Sequence, residues 1–412
     1  MEALAILGGR PVNEKLPEFL AWPVPRDAER QALARVLDSG VWGGAGPEHR
    51  ALAEEFAAYC GVRHALPAIN GTVTLQLILR ALGIGRGDEV VVSPYTFVAS
   101  VHAIVAVGAM PVFADTDPET QNIDPESCRR MITDRTRAIL AVHMGGRPFD
   151  IDAIGAIARE RGLHLVEDAA HAHGSEWNGR RVGGFGIAGS FSCQASKNMS
   201  SGEGGLVTTN DDDLFEALWA LHDGGRRRGD SAGSCALPGT NARLAEWQCA
   251  ILRAQLRRLE ADNALRKRNQ AMLEEGFRRL GFVEPLKADP RITFNACHVF
   301  TFRYHEARIR GLSRELFFRA LAAEKTTTSA GPGYTEPIYR MQFLYDPAFA
   351  KRTGRTFCDP TDRLPGNERV AGKEGCWLYH TSLLGTPEDT RRILEAMEKV
   401  AANAEKLIKA FA

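Results

Sequence analysis

The sequence contains no run of about 18 apolar residues, so no segment is expected to cross a bilayer as a helix. Its N-terminus, Met1–Pro23, carries Glu2, Arg10, Glu14 and Lys15 and lacks the long apolar segment of a signal peptide. Neither sign of charge is in excess. The chain has 51 Lys and Arg against 51 Asp and Glu, which leaves no global field to gather nucleic acid or anionic membrane. The local basic run Arg226–Arg228 lies among Gly and Asp in His222–Asp230 and reads as a surface loop, with a phosphate-binding patch as the weaker alternative. Paired cysteines are also missing. Eight are scattered without a CxxC, so neither a zinc ribbon nor a disulfide framework is indicated, and a reduced cytoplasmic setting is expected.

What remains is an ordinary globular composition over 412 residues, long enough for two domains and a large core. In the first two thirds, strand-like and helix-like segments alternate. Helical patterns cover Arg30–Leu37, Glu48–Tyr59, Gly71–Leu82, Phe97–Val107 and Ile151–Arg161. Short apolar runs cover Ala65–Ile69, Glu89–Val92, Pro111–Ala114, Ala138–His143, Leu163–Val166, Ala188–Ser192 and Gly205–Thr208. Such alternation predicts an α/β fold around a mostly parallel sheet. After Asn241 the pattern changes to a nearly continuous helix, Ala245–Leu280. A strand at His298–Arg303, a helix at Ser313–Ala323 and a final helix at Pro387–Ile408 follow. The expected division is a large domain over residues 1–255, N-terminal segment included, and a smaller C-terminal α/β domain over 256–412.

Three segments carry chemistry. In Asn70-Gly-Thr-Val-Thr74 an apolar strand meets a helix. Gly71 allows close approach, Thr72 offers a hydroxyl, and the first helical N–H groups are unpaired. This is either a plain N-cap turn or a phosphate cradle. Leu163–Val166 runs into Glu167–Asp168, a carboxylate at a strand's carboxyl end, where open α/β sheets bind ligands. Asp168 could keep a pyridinium protonated or could be a turn residue. His171 and His173 follow as an H-x-H pair, but no third metal ligand stands at helical spacing. In Ser190–Lys197 a strand breaks at a lysine and a Gly-rich stretch follows, to Gly205. A buried lysine loses its proton readily and becomes a nucleophile. Gly184-Phe-Gly186-Ile-Ala-Gly189 matches the dinucleotide fingerprint, but it follows a turn and leads into a strand, so it is read as a loop.

These segments, in this order, resemble the DegT/DnrJ/EryC1/StrS family of sugar and cyclitol aminotransferases, which depend on pyridoxal phosphate (PLP). The resemblance runs from Gly8-Gly-Arg-Pro11 to the final helix. It rests on NGTVTLQL, GDEVVVSPYTFVAS, PVFADTDPET, VEDAAHAHG, SFSCQASKNMSSGEGG and GTNARLAEWQCAILRAQL. It implies fold type I, the aspartate-aminotransferase type, and a homodimer with shared sites. By the same resemblance Lys197 would hold PLP as a Schiff base and Asp168 would pair its pyridine nitrogen. Phe97 would stack on the ring and His171 would contact the ring hydroxyl. Gly71, Thr72, Val73 and Ser192 would hold the phosphate, with Asn241 reaching it from the second subunit.

Phe19–Pro23 (FLAWP), SFSCQASK and Cys376-Trp-Leu-Tyr-His380 are similar to the cyclitol and aminoshikimate branch, with Tyr334 and His380 as substrate contacts by position. The reaction implied is ping-pong transfer from glutamate or glutamine to a keto-sugar or keto-cyclitol. The alternatives are an aromatising dehydration of the 3-amino-5-hydroxybenzoate synthase kind and a non-catalytic regulatory protein that keeps the fold. Intact Lys197, Asp168 and Thr72 speak against the last.

Overall fold

The computed structural model describes residues 3–229 and 234–411. Two helices come first, α1 (Asp27–Ser39) and α2 (Pro47–Cys60), and strand β1 (His64–Ala68) follows. Asn70 then starts α3 (Gly71–Ala81): its Oδ1 accepts from the Val73 N–H at 2.9 Å, which satisfies one of the unpaired donors of the first turn. Strand β2 (Glu89–Val92), helix α4 (Ala99–Ala106), β3 (Met110–Phe113), β4 (Thr136–Val142), α5 (Ile151–Arg161) and β5 (His164–Asp168) continue the alternation. Helix α5 begins on the Asp150 cap and ends at Gly162, in the left-handed region at φ 63°. Next come β6 (Ala188–Ser192), β7 (Gly205–Thr209) and α6 (Asp212–His222).

The strands form one sheet in the order β1-β7-β6-β5-β4-β2-β3. The pairings β2/β3, β2/β4, β4/β5 and β5/β6 are parallel. Strand β7 runs against both its neighbours. The sheet is covered on both sides, as its almost continuously apolar strands require. Leu75, Ile78, Val101, Ile104 and Leu218 of α3, α4 and α6 pack in one core cluster. Leu52, Phe56, Ile154 and Ile157 of α2 and α5 pack in another. In the latter Phe56 is fully buried and meets Phe191 edge-on, with centroids 5.0 Å apart. Truncating such a ring to alanine costs roughly 3–5 kcal/mol.

A single helix, α7 (Glu246–Leu280), passes through the expected boundary at 255/256 without a break. Leu252 and Leu259 on its first half pack under the large sheet; Leu273 and Phe277 on its second half pack in the C-terminal core. Four antiparallel strands make the second sheet: β8 (Val283–Pro285), β9 (Val299–Tyr304), β10 (Ala330–Pro332) and β11 (Gly375–Tyr379), in the order β8-β9-β11-β10. Helix α8 (Arg314–Ala323) lies between β9 and β10 in the chain. Leu4 is fully buried in this C-terminal cluster, so the N-terminal segment does not lie wholly with the large sheet.

The expected final helix is two, α9 (Pro387–Ala402) and α10 (Ala404–Phe411). They part at Asn403, whose φ of −107° and ψ of 11° leave the helical region. In the expected basic loop Arg226 pairs with Asp223 and Arg228 with Glu216; Asp230, its last residue, lies outside the described residues. No helix among the described residues is long and apolar enough to cross a membrane.

Candidate active site

A cavity of about 600 Å³ opens at the carboxyl ends of β1, β4, β5 and β6. Gly71, Thr72, Phe97, Asp168, His171, Ser192, Lys197 and Tyr334 all line it. Residues scattered over more than 260 positions therefore meet in one place, where an open α/β sheet offers its crevice.

The α3 N-terminus forms one wall. With the Val73 N–H taken by Asn70, the donors left at the helix start are those of Gly71 and Thr72. Gly71 is required by packing: a Cβ there would lie 2.8 Å from Ser192 Cβ and 3.2 Å from its Cα. The neighbouring hydroxyls are fixed, since Thr74 Oγ1 and Ser190 Oγ are 2.6 Å apart and both reach the Gly71 carbonyl.

Strand β5 supplies the carboxylates, and successive strand residues face opposite sides. Asp168 faces the cavity. Its Oδ2 accepts from Ser100 Oγ at 2.7 Å and its Oδ1 from the Ala170 N–H at 3.1 Å. Burial nevertheless pushes its carboxyl above the usual range, against the pull of those donors and of Lys197. A cation in the cavity would stabilise its ionised form. Glu167 faces away. It accepts N–H groups from Gly183, Phe185 and Gly186 at 2.8, 2.7 and 2.8 Å, and pairs with His143 at 3.1 Å. The loop with the dinucleotide-like spacing thus wraps a protein carboxylate, which its backbone donors and the histidine hold ionised, below the usual range despite burial.

Beyond β6 the chain turns sharply, with the Lys197 N–H on the Gln194 carbonyl at 2.8 Å. Lys197 is partly buried. Burial lowers its amine from 10.5 to about 8, although Asp168 draws it the other way. About a tenth is therefore the free amine, the nucleophilic form, at pH 7, far more than for an ordinary lysine.

His171 Nδ1 accepts from the Gly145 N–H at 3.3 Å, which leaves Nε2–H as the donor of the neutral ring. Burial and Lys197 hold that ring neutral. It packs against His298, centroids 4.4 Å apart and planes tilted by 35°, which is also buried and neutral and lines the cavity too. His173 fills the core against Phe191, 5.5 Å away.

Sequence reasoning passed over several lining residues: Ser100, Gln194, Glu203, His298 and Trp377. Gln194 and Glu203 flank Lys197 closely enough to have been suspected. The others sit in ordinary helix and strand patterns that carry no separate signal. Two expectations need correcting and one stays open. His380 does not line the cavity. It is fully buried, and both ring nitrogens are engaged, Nε2 with the Ser196 carbonyl at 3.1 Å and Nδ1 with Arg266 Nη2 at 3.2 Å. Val73 does not line it either, because its N–H closes the cap. Asn241 is exposed and lies apart from this chain's own cavity, bridged to Asp223.

The residues present fit PLP. The α3 N-terminus offers the unpaired N–H groups of Gly71 and Thr72, a buried carboxylate stands above its usual range where a further cation would stabilise it, and a lysine of lowered pKa stands in the same cavity. The sequence model of the DegT/DnrJ/EryC1/StrS aminotransferase family matches residues 24–398. The chain belongs to this family. Among its relatives, one from Micromonospora echinospora is 39% identical over 425 residues, with 100% of both chains covered, and is named for L-glutamine:3-amino-2,3-dideoxy-scyllo-inosose amino transfer. The L-glutamine:2-deoxy-scyllo-inosose aminotransferase of Streptomyces lividus is 37% identical over 427 residues, covering 98% of this chain and 99% of its own. The crystal structure of 3-amino-5-hydroxybenzoic acid synthase superposes with a TM-score of 0.83 at 34% identity, covering 94% of this chain and 100% of that one. This family member is a PLP-dependent aminotransferase of fold type I.

Proposed function

We propose that the protein passes the amino group of glutamine or glutamate to a keto-cyclitol or keto-sugar, in two half-reactions at the one cavity. The observation that carries this reading is the chemistry of the wall. Among the described residues, Lys197 is the only lysine or arginine that lines the cavity. Neutral histidines, Thr96, Ser196, Gln194, Tyr334 and Trp377 make up much of the rest. An uncharged polyhydroxylated ring suits such a wall: hydroxyls meet polar groups and ring C–H faces meet aromatics. The 2-deoxy-scyllo-inosose named for one relative has this character, and the 3-amino-inosose named for another adds an amine that the lining carboxylates Glu203 and Asp168 could face.

PLP, when bound, withdraws the electrons freed at the donor's α-carbon and carries the amino group from donor to acceptor. Lys197 would anchor it through its amine, and once displaced would take the proton from the donor's α-carbon and return it on the acceptor side. With a pKa of about 8 the amine can both take and give that proton near neutral pH. Asp168 would stay ionised against the pyridine nitrogen. The Gly71 and Thr72 N–H groups and Ser192 would hold the phosphate, His171 would donate from Nε2 to the ring hydroxyl, and Phe97 would cover one ring face.

A homodimer belongs to this reading, with Asn241 completing the partner's site. Phe97 is 57% exposed at the cavity, and Ile69, Trp42 and Trp247 are exposed large apolar residues that a second subunit could cover. Cytoplasmic action is proposed with it, since all eight cysteines are free thiols.

The test is a panel of amino donors with keto-cyclitols and keto-sugars, followed by amine formation. Amine appearing with a cyclitol ketone and glutamine or glutamate supports the reading. Loss of water from a cyclic keto-acid without amine transfer would instead support the dehydratase alternative, to which the likeness to 3-amino-5-hydroxybenzoic acid synthase lends weight.

A further inference from the structure

Lys197 hangs on main chain that has left the sheet. Its nearest strand, β6, ends at Ser192. Within the turn the N–H groups make local bonds, Lys197 to the Gln194 carbonyl, Ala195 to the Gly202 carbonyl and Ser196 to Gln194 Oε1, each 2.8 Å. The carbonyls of Ser196 and Lys197 are held from outside. Trp22 Nε1 donates to the Lys197 carbonyl at 3.1 Å. The Tyr379 hydroxyl donates to the Ser196 carbonyl, and His380 Nε2 reaches the same oxygen at 3.1 Å. These donors come from the N-terminal segment and from the end of β11, far from β6 in sequence.

The direction of the His380 bond follows from its other nitrogen. Arginine can only donate, so His380 Nδ1, 3.2 Å from Arg266 Nη2, carries no proton. The proton of the neutral ring is then on Nε2, the atom facing the Ser196 oxygen. Burial and the Arg266 charge keep the ring neutral. Arg266 is itself fully buried on α7, and its side-chain hydrogen bonds go to Asn263 Oδ1 at 2.9 Å and to His380 rather than to a carboxylate. Trp22 packs edge-on against His380, centroids 4.7 Å apart, which joins two of the donors. None of the four side chains lines the cavity.

We infer that Trp22, Tyr379 and His380, the last oriented by Arg266, form a clamp on the Ser196 and Lys197 carbonyls that sets where the Lys197 amine stands in the cavity. They are positioning residues. A lysine side chain has four rotatable carbons, so its amine is only as well placed as the main chain beneath it. The clamp also ties the lysine to the C-terminal sheet rather than to the large sheet alone. A displacement of about 1 Å at a reacting atom can cost about 10²-fold in rate. The inference rests on Lys197 being the reacting lysine.

The experiment uses the full-length protein, with and without PLP. Tyr379→Phe removes one hydroxyl, His380→Ala removes the ring, Arg266→Met frees the tautomer, and His380→Gln keeps an amide donor. In the PLP-free proteins, trace acylation of Lys197 with acetic anhydride is followed against pH by peptide mass. In the PLP-loaded proteins, kcat and KM are measured. Acylation in the parent protein should rise with a midpoint near about 8. In His380→Ala and Arg266→Met the midpoint should move toward that of an ordinary lysine, and kcat should fall about 10²-fold with little change in KM. Tyr379→Phe should do the same to a smaller extent. His380→Gln should recover much of both effects.

Unchanged midpoints in folded variants, Tyr379→Phe included, would overturn the clamp. So would equal defects in His380→Gln and His380→Ala that simply follow the loss of thermal stability. Acylation is read without PLP, so this result stands apart from the assignment of Lys197. That assignment is checked separately by borohydride reduction of the loaded protein and peptide mapping, and the pyridoxyl group on another lysine would refute it.

Discussion

Ser100 Oγ, in the first turn of α4, donates to Asp168 Oδ2 at 2.7 Å, and both side chains are buried. The bond favours the ionised carboxylate against a burial that disfavours it. Removing it in Ser100→Ala should push the Asp168 carboxyl further up. If the ionised form is the active one, the acid limb of the pH–kcat profile should move to higher pH while the alkaline limb stays. Asp168→Ala should lower turnover by about 10²-fold or more, the scale of losing one charge-stabilising group, and still retain PLP through the phosphate and the lysine. Near-normal turnover in Asp168→Ala would show that another group protonates the ring.

Lys197 predicts a pH dependence of stability in the PLP-free protein. Its amine lies near 8 when folded and 10.5 ordinarily. Below about 8 both states hold the proton, and the fold carries the full cost of a buried charge, roughly 3 kcal/mol at most. Between about 8 and 10.5 the unfolded chain binds a proton that the folded chain does not, so this penalty shrinks as pH rises. Lys197→Met should therefore raise the urea midpoint at pH 7, and the gain should shrink toward pH 10.5. A gain equal at both pH values would mean that the charge is not what destabilises.

How far the site could be read from the chain depended on where each residue sat. Asp168 ends an apolar strand, Gly71 and Lys197 follow soon after one, and a carboxylate, a glycine and a lysine are out of keeping with such neighbours. The sheet and most of its helices were legible by the same periodicity. Ser100 and His298 reach the cavity only through folding, from stretches whose patterns are those of any buried helix or strand. His380 misled because an aromatic cluster near the C-terminus has no direction in the sequence. Only its two bonds, to Arg266 and to the Ser196 carbonyl, show that it faces the back of the lysine loop. The boundary inside α7 was hidden for a related reason: the helix keeps its period while its partners change from one core to the other.

Gly71→Ala tests the cradle. By helix propensity alone, alanine at this position should be harmless or helpful, by up to about 1 kcal/mol. The added Cβ would lie 2.8 Å from Ser192 Cβ, and overpacking of this kind costs about 1–3 kcal/mol. PLP affinity should fall about tenfold or more, read by titrating the PLP-free protein. Adding Ser192→Gly should recover part of the packing loss, a coupling that a double-mutant cycle in thermal stability would expose. Additive effects would mean that the two residues do not press on each other.

The shared-site homodimer gives the last prediction. Asn241 is exposed and lies apart from its own chain's cavity, while Phe97 at that cavity is 57% exposed. If Asn241 completes the partner's site, each site draws on two chains, and an isologous interface makes both sites alike. Lys197→Ala chains and chains with a bulky residue in place of Asn241, such as Asn241→Trp, should each be inactive alone. Mixed and allowed to exchange subunits, they form hybrids in which one site inherits both lesions and the other neither. Half of the hybrid sites should then be active, about a quarter of all sites if exchange is random. Light scattering and mass spectrometry would establish that hybrids have formed. No recovery in proven hybrids, or a fully active monomer, would end the shared-site reading. A modest effect of Asn241→Ala alone would not decide it, because one hydrogen bond to a charged phosphate contributes only about 1.5–3 kcal/mol.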